Sequence, residues 1–164
     1  MKLTSLLERL EYEVCQGSDD LEVTELINDS RKVKEGSVFV CIAGAVADGH
    51  EYIEDVAAKG AVAVIVERPV NAPEGLTVIH VDDTRYALAL MSAAYFGYPA
   101  QKLNVIGITG TKGKTTTTYM VKSILENAGY KVGLIGTIEA IIGEESIPAS
   151  NNNSGILSGA GIFS

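Results

Sequence analysis

Gly110-Thr-Lys-Gly-Lys-Thr-Thr116 gathers two glycines, two lysines and three threonines into seven residues, a set suited to gripping phosphate groups. Val105, Ile106 and Ile108 ahead of it form a β-branched run, and Tyr119, Met120, Ile124 and Leu125 behind it recur at helical spacing. The segment therefore reads as a strand-to-helix turn. At such a turn the first N–H groups of the helix lack intrahelical partners and the helix dipole favours anions, so phosphate oxygens fit there. Gly110 and Gly113 allow the backbone to close around the ligand. Gly110, Thr111, Lys112, Gly113, Lys114, Thr115 and Thr116 are thus the candidate nucleotide-binding residues. Lys114 is the candidate catalytic group, a point charge for the β/γ-phosphates, and the Thr115 hydroxyl is the candidate Mg²⁺ ligand. A strict P-loop has glycine where this chain has Ile108, so an ordinary glycine-rich turn stays open as the alternative.

The elements that must position this loop and its surroundings alternate between strand and helix. Leu3, Leu6, Leu7 and Leu10 predict an amphipathic first helix. A strand is expected at Ser37–Ile42, then the turn-rich Ala43-Gly-Ala-Val-Ala-Asp-Gly-His50. A helix carrying Tyr52, Ile53, Val56 and Ala57 should follow, ending at Gly60. Ala61–Val66 and Leu76–Val81 read as further strands. Asp82-Asp83-Thr84 opens a helix to about Phe96, its acidic pair serving as a cap rather than a metal site. Gly97-Tyr98-Pro99-Ala100 breaks the pattern, so residues 1–98 form one expected domain and a second starts near Lys102. In the second, Lys131–Gly136 reads as a strand and Ile138–Ile142 with Ser146-Ile147 as a hairpin. The fold class expected is α/β: a small α/β domain followed by the start of a P-loop-type parallel-sheet domain.

Composition narrows the ligands. A net charge of −8 and a pI near 4.7 over 164 residues argue against a nucleic-acid or anionic-membrane surface and leave room for local anion sites. No run approaches about 18 apolar residues, and the charged start Met1-Lys-Leu-Thr-Ser-Leu-Leu-Glu8 offers no uninterrupted apolar leader, which points to a cytoplasmic protein. Cys15 and Cys41 lack metal-ligand spacing and are expected to be thiols without a role.

Asp29-Ser-Arg-Lys-Val33, Gly36-Ser-Val-Phe39, Gly44 with Asp48-Gly-His50, and Gly107-Ile-Thr-Gly-Thr-Lys-Gly-Lys-Thr-Thr-Thr-Thr-Tyr119 together resemble the Mur ligases, in family order over residues 1–151. Within that family the chain looks most like the tripeptide-forming member, which adds the third residue of the peptidoglycan stem. The member that adds D-Ala-D-Ala shares the Asp-Ser-Arg and Asp-Gly-His patterns and stays open, as does a non-catalytic binding module. Folylpolyglutamate synthase has a similar phosphate loop but lacks those first-domain elements. The resemblance implies that domain one binds UDP-MurNAc-L-Ala-D-Glu through Asn28, Ser30, Ala45, Val46 and Ala47, with Asn151 a further substrate contact, and that domain two binds ATP with Mg²⁺. It further implies that the D-Glu carboxylate is activated as an acyl phosphate, which the amine of diaminopimelate or lysine attacks. The alternative for Asn28, Asp29 and Ser30 is a side-chain-capped turn. Arg31 and His50 are left outside the site, as an acid's partner and a turn closer.

After Asn151 the chain departs from the family's Asn-Thr-Thr-Pro-Glu and reads Asn152-Asn-Ser-Gly-Ile-Leu-Ser-Gly-Ala-Gly-Ile-Phe-Ser164. Synonymous codons for this stretch, read one base out of frame, give Thr-Thr-Pro-Glu. The expectation is an inserted base, a disordered tail over 152–164, and a catalytically incompetent piece whose second domain is incomplete and prone to self-association at its sheet edges. Codons around Asn151 that cannot yield Thr-Thr-Pro in any frame would remove the frameshift reading.

Overall fold

The computed structural model describes residues 1–45, 47–143 and 145–148. Two compact units divide the chain, Met1–Pro99 and the residues from Ala100 onward. Val46, Asn151 and the tail 152–164 lie outside the described residues, and with them the expectations placed there.

In the first unit α1 (Leu3–Leu7), β1 (Glu13–Gln16), β2 (Leu26–Ile27) and β3 (Val38–Val40) are followed by a 3₁₀ turn at Gly49–Tyr52 that runs into α2 (Ile53–Ala58). Next come β4 (Ala63–Val66), β5 (Thr77–His80) and α3 (Thr84–Tyr95). The sheet order is β1-β5-β4-β3-β2, with β2 to β5 parallel and β1 antiparallel on β5. Every residue of β3 and β4 is buried, as expected of central parallel strands covered on both faces. Phe39, Val64, Val66 and Val78 join Ile53 and Val56 of α2 in one cluster. The alternate positions, Val38, Val40, Ala63, Ile65 and Ile79, point the other way by strand parity. Buried Leu3, Leu6, Leu7, Leu88 and Met91 come from α1 and α3, which pack on each other.

The predicted strands and helices of this unit form, with two differences. Leu10 does not extend α1: its N–H bonds to Leu7 O at 2.9 Å, a tight turn that closes the helix early. β1 and β2 carry no clear sequence pattern. β1 is an edge strand whose ladder shifts register between Val14 and Gln16, and β2 is two residues long. Asp83 caps α3 as expected, accepting from the N–H groups of Arg85 (2.8 Å) and Tyr86 (2.9 Å). At its far end Tyr98 takes a left-handed φ of 55°, with its N–H on Ala93 O at 2.6 Å. Glu8 accepts from the Tyr98 hydroxyl at 2.5 Å and the Arg9 guanidinium lies 4.2 Å from the ring centroid, so the residues just after α1 brace this turn.

The second unit contains α4 (Lys114–Asn127), β6 (Gly133–Ile135), β7 (Glu139–Ile142) and β8 (Glu145–Pro148). These three strands form an antiparallel sheet in sequence order. The strand expected at Val105–Ile108 does not form. Residues 104–110 pair with no described strand, and Val105 and Ile106 are 72% and 62% exposed. A strand exists through its ladder, and the described sheet, β6-β7-β8, pairs only among its own strands and offers none to this segment. Leu134 of β6 is buried, whereas Met120 and Ile124 on α4 are exposed. Among the described residues no helix is long and apolar enough to cross a membrane.

The two thiols differ in setting, since Cys15 is exposed on β1 and Cys41 is fully buried. Burial pushes the Cys41 thiol up to about 12. At about pH 8 iodoacetamide is expected to label Cys15 in the folded chain and Cys41 only in denaturant, as mass spectrometry would read; equal labelling of both would contradict the packing described.

Candidate functional site

The candidate residues fall at two places, one in each unit. In the second, Gly113 caps α4 in the left-handed conformation (φ 79°) and provides no side-chain cap. The first bond of the helix runs from Thr117 N–H to Gly113 O at 2.9 Å, so the N–H groups of Lys114, Thr115 and Thr116 precede any intrahelical acceptor. A Cβ at Gly113 would meet nothing within 4 Å; its glycine is required by φ, not by crowding. Gly110, at φ 153°, turns the chain into the loop. The Lys114 ammonium folds back across it and donates to Gly110 O at 2.5 Å.

Lys114 and Thr115 line a cavity of about 290 Å³ with Ile108, Thr118 and Tyr119, closed on the far side by residues 134–139. Gly110, Thr111, Lys112 and Gly113 form the exposed loop beside it, and Thr116 is exposed on the first turn of α4. The structure thus brings the predicted lysine and threonine to one concavity at an uncapped helix start, able to bind an oxyanion and present a cation to it.

Glu139 is a cavity residue that sequence reasoning missed. It accepts hydrogen bonds from the hydroxyls of Ser146 and Tyr119, which hold its carboxyl below the usual range. Its sequence setting, Ile138-Glu-Ala-Ile-Ile142, looks like any strand with one outward polar residue. Only the hairpin pairing, with Glu139 opposite Pro148, sets it beside α4.

In the first unit the candidates collect at the carboxyl edge of the parallel strands, where loops of such sheets bind ligands. Asn28 and Ser30 follow β2, and Ala45 and Ala47 sit on the loop after β3. Asp29 closes its turn as the capped alternative predicts, accepting from Arg31 N–H at 3.1 Å. It also takes a two-pronged bond from the Arg31 guanidinium, Nε at 2.8 Å and NH2 at 2.7 Å. The Lys59 ammonium donates to Ser30 O at 2.9 Å and pairs with Asp55 at 2.7 Å. The second loop folds on itself through Gly44 N–H to Ala47 O and Gly49 N–H to Ile42 O, both 2.9 Å, leaving Ala45 and Ala47 exposed at its tip.

His50, read as a turn closer, is buried with its Nδ1 2.6 Å from Asp48 Oδ1. Because Nε2 accepts Glu67 N–H at 3.3 Å, the ring carries its proton on Nδ1 and donates to Asp48. Asp48 also meets the Arg68 guanidinium at 2.6 Å. The His50 backbone N–H, followed by its ring, holds the Asp48 carboxyl below its usual range. Among the described residues no cluster of three metal-ligating side chains exists.

Comparison with known proteins finds relatives over both units. A model described as the Mur ligase family, catalytic domain, matches residues 22–96, and the Mur ligase middle domain matches residues 108–158. A UDP-N-acetylmuramoyl-L-alanyl-D-glutamate–2,6-diaminopimelate ligase of Clostridium perfringens is 50% identical over 149 residues, 91% of this chain and 31% of that protein. A ligase of the same description from Clostridium acetobutylicum is 46% identical over 147 residues, 90% of this chain and 30% of that protein. The crystal structure of MurF from Acinetobacter baumannii is 32% identical with a TM-score of 0.53, over 77% of this chain and 27% of that one. A solved diaminopimelate ligase gives a TM-score of 0.71 at 20% identity over 99% of this chain and 32% of its own, a likeness of fold. The chain spans about 30% of the length of the curated relatives it matches.

The Arg31 contacts depress the Asp29 carboxyl from an ordinary 3.8 to about 2. A carboxyl depressed in the folded state contributes stability that is present above 3.8 and lost as pH falls through about 2. Arg31 is largely exposed, so the contribution is small, about 1 kcal/mol or less. Asp29→Asn is therefore expected to lower the melting temperature slightly at neutral pH and to flatten the acid limb of stability against pH. An acid limb identical to wild type would show that this pair contributes nothing.

Proposed function

Because the chain belongs to the Mur ligase family, we propose that it carries the nucleotide-sugar and ATP sites of a cytoplasmic ligase that joins diaminopimelate to UDP-MurNAc-L-Ala-D-Glu in peptidoglycan synthesis. The relatives at 50% and 46% identity bear that reaction in their names, against 32% for the MurF structure, which favours this member over the one adding D-Ala-D-Ala.

The observation that carries the reading is the start of α4. Three N–H groups ahead of any intrahelical acceptor, a glycine cap that adds no side chain, and an ammonium folded over the loop suit a triphosphate. In this reading Gly110 to Thr116 hold ATP, and the ammonium of Lys114 leaves the Gly110 carbonyl to neutralise the β/γ-phosphates. The residues fit Mg²⁺ in one respect, the Thr115 hydroxyl on the cavity wall, which would hold the ion; when bound it supplies charge neutralisation at the phosphate oxygens. Asn28, Ser30, Ala45 and Ala47, with Val46 and Asn151, contact the nucleotide sugar and its peptide. Transfer of the terminal phosphoryl group to the D-Glu carboxylate makes an acyl phosphate, whose phosphate leaves as the amine of diaminopimelate attacks. Positioning and charge neutralisation, not covalent catalysis by the chain, are what such a transfer demands.

Isothermal titration tests both sites on this chain. UDP-MurNAc-L-Ala-D-Glu and Mg-ATP are each expected to bind, and Lys114→Ala is expected to weaken Mg-ATP by about tenfold or more while leaving the UDP ligand unchanged, the loss of one charge-assisted contact. Binding of the UDP ligand without ATP would leave a binding module, and ATP affinity indifferent to Lys114 would place the nucleotide elsewhere.

A further inference from the structure

Asp48, His50, Glu67, Thr84 and Arg85 close a ring of hydrogen bonds around the carboxyl edge of β3, β4 and β5. Asp48 accepts from His50 Nδ1, and His50 Nε2 accepts from Glu67 N–H. The Glu67 carboxylate accepts from both Thr84 N–H (3.1 Å) and the Thr84 hydroxyl (2.7 Å), at the first residue of α3. From the next residue the Arg85 guanidinium returns to Ala43 O at 2.8 Å. Ala43 and Asp48 pair with each other as an isolated antiparallel bridge, so the ring holds both ends of the loop that carries Ala45 and Ala47. His50 and Thr84 are buried, which keeps water from competing for these bonds, and Arg68 braces Asp48 from outside.

Neither Glu67 nor Arg85 lies on the loop itself. Hydrogen bonding to Thr84 keeps the Glu67 carboxyl below its usual range, so it stays ionised, and its two bonds fix where α3 starts. The start of α3 in turn sets where the Arg85 guanidinium reaches Ala43.

We propose that this ring preorganises the Ala43–Asp48 loop for the nucleotide sugar, which makes Glu67 and Arg85 positioning residues that act on affinity without touching the ligand. The inference rests on the function proposed above. Preorganisation raises affinity by removing the cost of ordering a loop on binding, so loosening it lowers affinity while the contacts themselves survive.

Hydrogen exchange read by mass spectrometry and calorimetry test it together, on Arg85→Ala, Arg85→Lys, Glu67→Ala and Glu67→Gln. Arg85→Ala and Glu67→Ala are expected to speed exchange at Gly44 and Gly49 with β4 and β5 still protected, and to weaken UDP-MurNAc-L-Ala-D-Glu by about tenfold with Mg-ATP unchanged. Arg85→Lys and Glu67→Gln, which can still donate and accept at those points, should recover part of both effects. A wild-type chain that binds the UDP ligand while both alanine variants bind it equally well overturns this inference alone. Unchanged exchange at Gly44 and Gly49 overturns it too, and a wild-type chain that takes no UDP ligand overturns the proposed function and this inference together.

Discussion

Burial of β3 and β4 on both faces is the constraint from which the first unit follows. Four consecutive residues of β4, Ala63 to Val66, are at most 1% exposed, and each fully buried Val or Ile is worth about 1.5–3 kcal/mol relative to exposure. Side chains packed that way on both sides exclude water from the backbone as well, so its N–H and C=O groups must pair within the ladder. Parallel pairing then requires each connection to cross over the sheet, and α2 between β3 and β4 is such a crossover. The consequence is positional: every parallel strand ends at the same edge, so the loops after β2, β3, β4 and β5 meet there. The meeting of Asn28, Ala45, Glu67 and Asp83 at one edge is produced by the core, not by any attraction among them.

The second unit works under the opposite condition. Its helix begins with a glycine that leaves the first N–H groups without a side-chain acceptor, where α3 begins with Asp83 filling the same positions. An N-cap carboxylate or hydroxyl is worth about 1 kcal/mol to a helix, and α4 forgoes it. Among the described residues, no side chain of α4 is fully buried. A capped start would be more stable on its own and unable to accept an external anion, since the cap oxygen would already occupy those groups. The missing cap and the capacity proposed for anion binding are two readings of one geometric fact.

Sequence pattern was informative wherever a single short-range rule decides the outcome. Asp83 before Thr84 caps α3 because a carboxylate two or three residues ahead of orphan N–H groups needs nothing distant. Val64 to Val66 read as strand because a run buried on both faces has no polar interruption. Gly60 ends α2 at φ 95°, where an added Cβ would come within 2.9 Å of Glu35 Cα, so any other residue would be strained twice over. What stayed illegible depends on partners far away in the chain. Val105 to Ile108 has the composition of a strand and no ladder to join among the described residues. Glu13 to Gln16 has no apolar alternation and is a strand because β5 offers it an edge. Glu67 looks like a solvated charge until Thr84, seventeen residues on, is placed against it.

Charge shows how an acidic chain can still meet anionic ligands. In the first unit three cations near the candidate loops already have acids: Arg31 is held two-pronged by Asp29, Lys59 pairs with Asp55, and Arg68 pairs with Asp48. Their charge is spent on structure, in fixing turns and the loop after β3, and little of it projects toward a ligand. Like Arg85, which holds Ala43 O, Lys114 differs from these three because its partner is a carbonyl, that of Gly110, a dipole without net charge. Its positive charge is therefore not cancelled by the bond that orients it. Under the proposed function, an arriving phosphate would need only to exchange that carbonyl for a full negative charge, a trade that strengthens as water is excluded from the cavity beside Thr115. A carboxylate in place of the Gly110 carbonyl would hold the ammonium more firmly and leave it with nothing to offer, so on the proposed function selectivity for an anion at this point would come from the weakness of the contact that the lysine makes in the absence of ligand.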